Sequence, residues 1–115
     1  MADVDLNDVA SKGIQDLQDS IDKLNGLMNQ PGADIPGIAT QIEALQAKQT
    51  DLRDMALGTI QATEADRDAI AAVTAAAVSL SKEASKIKDA ASALTTAIKV
   101  VSAAGSLVTA LAGFA

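Results

Sequence analysis

Hydrophobic residues near the N-terminus recur at Ile14, Leu17, Ile21, Leu24 and Met28, alternately three and four residues apart, and Leu6 and Val9 extend the row loosely upstream. That spacing lines large apolar side chains along one stripe of a helix, the pattern of a coiled-coil seam. Asp16, Gln18, Asp19 and Asp22 fall outside the stripe, where water solvates them. The chain then reads "NQPGADIPG", two prolines and two glycines in nine residues. Such a run interrupts helices and fits a tight connection, and Pro36 suits the first turn of a following helix. The pattern predicts helix over about 4–29, a turn at about 30–36 and helix over about 37–57.

A second row begins at Ile38. One set of positions, seven residues apart, reads Ile38, Leu45, Leu52, Thr59, Asp66, Val73, Leu80, Ile87, Leu94, Val101 and Val108. The interleaved set reads Ile42, Gln49, Ala56, Thr63, Ile70, Ala77, Ala84, Ala91, Ile98, Gly105 and Ala112. Both flanks of the polar patch between Thr59 and Asp66 keep one phase. Gly58 followed by "TIQATEAD" offers a helix stop and a new N-cap at Thr63, while the shared phase also permits a continuous helix. In either case residues 63–112 are expected as a rod of roughly 75 Å, against arms of roughly 35 Å in the N-terminal hairpin. The uncovered length of such a rod must meet another chain or a membrane. The expected organisation is an acidic helical hairpin over 1–58 and a long, Ala-rich apolar C-terminal helix over 59–115, together forming one structural unit.

Composition supports an all-α, elongated fold. The chain of 115 residues has one Phe and no Trp, Tyr, Cys or His, so aromatics cannot fill its core. From Ala62 to Ala115, 18 of 54 residues are Ala, a strongly helix-forming composition that lets helices approach closely. Charge changes sign along the chain. Residues 1–34 carry seven acids and two bases (−5), residues 35–68 six and three (−3), and residues 69–115 two and four (+2), which together give the net −6. No basic patch exists to meet phosphates, which argues against nucleic acid. An acidic front and a mildly basic rear favour head-to-tail or side-by-side self-association.

Little in the sequence can carry catalysis. Without His or Cys, the commonest general base, the usual zinc ligands and the thiol nucleophile are all missing. Glu64, Asp66 and Asp68 read as first-turn carboxylates favoured by the helix dipole rather than as a metal site. Gly32 and Gly37 form no phosphate loop. No enzyme activity, cofactor, metal or small-molecule substrate is expected. The acidic start "MADVDLNDVA" has no apolar core of a signal peptide. The expected location is therefore cytoplasmic, or outside by a route that needs no cleaved signal.

The last sixteen residues, "VVSAAGSLVTALAGFA", carry no charge. Ser92, Thr96, Lys99, Ser102, Ser106 and Thr109 form a narrow polar stripe. Around it Leu94, Ile98, Val101, Gly105, Val108, Leu111, Ala112 and Phe114 form the expected interface, with Gly105 placed where two helices approach closely. As a membrane span these sixteen residues reach about 24 Å, short of a hydrocarbon core of about 30 Å. The preferred expectation is a structural or interaction protein that assembles with further copies of itself into a filament or ring. The alternative is a membrane-inserting protein, a pore-former or an anchored subunit, using residues 90–115.

The stretch "SIDKLNGLMNQPGADIPGIATQIEALQAKQ" has a short acidic helix, a Pro-containing turn and a Gln/Lys-rich second helix. Over residues 20–50 it resembles the helical hairpins of type III secretion needle subunits. The resemblance implies hairpin architecture, and no functional residues are carried over from it.

Overall fold

The computed structural model describes residues 4–55, 61–62 and 67–113. The protein is all-helical, with four helices among the described residues: α1 (Leu6–Leu27), α2 (Ile35–Asp54), α3 (Arg67–Ala84) and α4 (Ala90–Ala112). The only extended pairing among the described residues is two residues long, with β1 (Val4–Asp5) antiparallel to β2 (Gln61–Ala62). Helix therefore starts at Leu6, slightly later than the pattern predicts.

The turn after α1 forms as its residues dictate. Gly32 adopts φ +86°, a left-handed conformation that a side chain would strain. Asp34 caps α2, its carboxylate accepting from the Gly37 amide at 3.0 Å, and Pro36 sits in the first turn. α2 ends at Asp54 and α3 begins at Arg67, with β2 between them. The chain therefore does not run through as one helix, although Gly58, Thr63, Glu64 and Asp66 lie outside the described residues.

The continuous C-terminal rod is corrected. α3 stops at Ala84, and residues 85–89 turn the chain back on itself. The Ser85 hydroxyl donates to the Lys82 carbonyl at 2.7 Å. Asp89 is extended and caps α4, accepting from the Ser92 amide and the Ser92 hydroxyl, each at 2.9 Å. Lys82, in the last turn of α3, complements the negative end of its dipole, and Ile87 buries itself beneath the turn. The bundle measures 50 × 22 × 16 Å, too short for a rod of roughly 75 Å. The length that the rod would have left uncovered is instead packed against α1 and α2.

One core is shared by all four helices. Gly13 marks its centre: a Cβ there would lie 2.8 Å from Leu107 of α4, 3.2 Å from Leu52 of α2 and 3.7 Å from Leu80 of α3. The backbone of α1 therefore lies against leucine side chains from three helices at one level, and a side chain there would have to displace them. α2 and α4 run parallel, since Gly37 faces Leu94 and Gly105 faces Lys48 at equal intervals along each helix. α1 and α2 run antiparallel, with the buried Gln49 donating to the Ile14 carbonyl at 3.2 Å and to Gln18 Oε1 at 3.1 Å. That pairing satisfies the polar interruption of the α2 seam. From α1, Lys23 reaches the Ala84 carbonyl at the end of α3.

Candidate functional site

On α4 the buried row is Ala93, Ala97, Val100, Ala104, Leu107 and Leu111. It is offset by one residue from the expected seam through Leu94, Ile98, Val101, Gly105 and Val108. The phase holds through α2 and α3, where Ile38, Leu45, Leu52, Val73 and Leu80 are buried. It slips at the 85–89 turn. A turn breaks the fixed rotation of 100° per residue that carries one helix's phase into the next. The signal for it was Asp89 ahead of the apolar run, an N-cap without any glycine or proline.

The expected interface residues consequently divide. Leu111 is in the core, while Leu94, Val101 and Val108 are half-buried and pack against it. Ile98 is 50% exposed and Ala112 is exposed. Phe114 lies outside the described residues. Gly105 has open space beside it, the nearest atom to a built Cβ being Lys48 Cε at 3.9 Å. Within one molecule Gly105 is therefore not a point of close helix approach. Of the polar stripe, Thr96 is buried, and Ser92, Lys99, Ser102, Ser106 and Thr109 are exposed. Ser92 is committed to the Asp89 cap, and the Thr109 hydroxyl donates to the Gly105 carbonyl at 2.9 Å.

Lys99, Ser102, Ser106 and Thr109 of the polar stripe line one wall of an open groove of about 1010 Å³ that runs between the outer faces of α3 and α4. Ala72, Ala75, Ala76 and Ser79 form the α3 wall, and Ser102, Ala103, Ser106 and Ala110 face them from α4. Lys48 of α2, Lys99 and Glu83 supply the charges. The groove exists because most residues of both walls carry side chains of no more than three heavy atoms. Residues 69–81 contain no charge, and α4 contains only Lys99. Glu83 Oε1 meets Lys86 Nζ at 3.3 Å, while its buried Oε2 has no hydrogen-bond partner among the described residues. Lys48 holds Asp51 only at 3.9 Å.

Among the described residues no three acidic side chains gather to hold a metal ion, and Asp68 stands exposed in the first turn of α3. Among the described residues Asp89 has a lowered pKa. The Ser92 amide, then the Ser92 hydroxyl, stabilise its carboxylate by hydrogen bonding. That is the chemistry of a helix cap.

α4 is long and apolar enough to cross a membrane, with a mean hydropathy of 1.5, and 28% of that window is buried in the bundle. The chain matches no family model, no curated protein and no solved structure. The likeness of residues 20–50 to needle subunits thus rests on hairpin pattern alone.

Proposed function

We propose that the protein is a non-enzymatic interaction module that assembles with copies of itself, and that the outer α3–α4 groove is the contact surface. The hairpin of α1 and α2, with its three–four seam of Leu and Ile, acts in this reading as a coiled-coil-like scaffold. The observation that carries the reading is the groove: an open channel about 1010 Å³ in volume, walled mostly by Ala, Ser and Gly, with Lys48, Lys99 and Glu83 along it. Small walls let a neighbouring helix come close, so that dispersion contacts accumulate along its length. Exposed Ile98 and Val78 add apolar area on the same two helices.

Light scattering and negative-stain imaging of the protein in detergent-free buffer test this. Assemblies that grow with concentration are expected. A monomer at every concentration contradicts it.

The second reading is membrane insertion, favoured by the length and hydropathy of α4. Insertion would have to withdraw Val100, Leu107 and Leu111 from the core, where all three are fully buried. Rapid dye release from liposomes at low protein concentration would support that reading over assembly in water.

A further inference from the structure

α4 stands between α1 and the groove. It turns Ala97, Val100, Ala104 and Leu107 to the core, and Lys99, Ser102 and Ser106 outward. The outer face of α1 is therefore on the far side of the molecule, and it has complementary chemistry. α1 carries four Asp and two Lys, a net −2. Residues 67–113 carry three acids and five bases, a net +2. Both lysines of α1 are engaged within the molecule, Lys12 on Asp16 at 2.8 Å and Lys23 on the Ala84 carbonyl. Among the described residues, exposed Asp19 and Asp22 accept only from the neutral side chains of Gln15 and Gln18. In the groove, Lys99 has no ion pair among the described residues, and exposed serine hydroxyls stand beside it.

We infer that the occupant of the α3–α4 groove is the acidic outer face of α1, around Gln15 and Asp19, from a second copy of this chain. This rests on the self-assembly reading and specifies its partner surface. Gln15, Asp19 and Asp22 recur on one side of α1 over about 10 Å, within a groove whose walls extend about 16 Å along each helix. The longer side chains of Gln15 and Asp19 enter a channel lined by Ala and Ser, and the Asp19 carboxylate meets Lys99. No molecule can fill its own groove, because the two faces point away from each other. Each copy thus offers one α1 face and one groove, a heterologous contact that repeats into a filament or closes into a ring.

Sedimentation velocity over a concentration series tests this with full-length wild type, Asp19→Lys, Lys99→Glu and the double variant. Both positions are exposed, so all four proteins should show the same helical circular dichroism. Each single reversal is expected to raise the concentration for half-assembly about ten-fold. The double variant, and an equimolar mixture of the two singles, should recover it. An Asp19→Lys protein that assembles like wild type overturns α1 as the occupant and leaves self-assembly standing. Loss in both singles without recovery in the double overturns the Lys99–Asp19 contact. A wild type that is monomeric throughout overturns the self-assembly reading itself. Because the chain has no cysteine, Asp19→Cys combined with Ser102→Cys gives a second reading. Oxidation should produce a ladder of covalent multimers, and a product that stops at dimer contradicts head-to-tail contact.

Discussion

The two halves of the bundle fill one core with different materials. α1 and α2 bury Leu6, Leu17, Leu24, Ile38, Leu45 and Leu52 and keep most of their Asp, Gln and Lys outside, Asp16 and Gln49 being the buried exceptions. α4 buries mostly alanine, with Val100, Leu107 and Leu111 as its larger contributions. Its outer face differs only moderately from its inner one, being alanine, serine and threonine with Ile98 and a single lysine. A helix that segregates long apolar from charged residues commits one face to the core and leaves the other to water. A helix built of small residues packs closely on several sides at once, and that property leaves the outer face of α3 and α4 open to a further helix.

The contrast can be broken most forcefully in the first half. Leu45 is fully buried, so Leu45→Ala should cost about 2–5 kcal/mol, read by chemical denaturation. The next largest effect is expected at Gly13. A Leu there would push into Leu107 and Leu52, which lie 2.8 and 3.2 Å from the position of a Cβ. Overpacking of this kind costs about 1–3 kcal/mol, and a Gly13→Leu protein as stable as wild type would contradict the four-helix junction.

The first half was also the more legible in sequence, for the same reason. Large seam residues with polar flanks determine a phase unambiguously, and Ile38, Ile42, Leu45 and Leu52 are buried as the spacing requires. In the second half nearly every position is small or apolar, so the pattern tolerates a shift of one residue. The turn at 85–89 contains neither glycine nor proline, and its cap, Asp89, is a single residue in a lysine-rich stretch. The expected rod, and the expected position of Gly105 on a buried seam, both followed from missing that turn. The groove was not legible at all, since it depends on how α3 folds back beside α4. Its polar wall was visible as the stripe from Ser92 to Thr109, without a surface to place it on.

A smaller effect sharpens the comparison at that turn. Asp89→Ala removes the acceptor for the Ser92 amide and should lower the melting temperature by less than Gly13→Leu does. Folding lowers the Asp89 pKa below its ordinary 3.8, so its contribution is complete at neutral pH. It is lost as pH falls below 3.8 and through the folded-state value. The difference in stability between wild type and Asp89→Asn should therefore shrink on acidification in that range. A difference that grows there would contradict the cap.

The most direct test of the groove as a contact surface is Gly105→Leu, followed by sedimentation and thermal melting of the same samples. The space beside Gly105 is open within the molecule, with only Lys48 Cε within 4 Å. Leu is the better helix former by somewhat less than about 1 kcal/mol. The melting temperature of the dilute, unassembled protein should therefore hold or rise slightly. Assembly should weaken, because the new side chain occupies the channel a second copy would enter. Unchanged stability with weakened assembly is the predicted result, and assembly equal to wild type would contradict the groove as the contact surface.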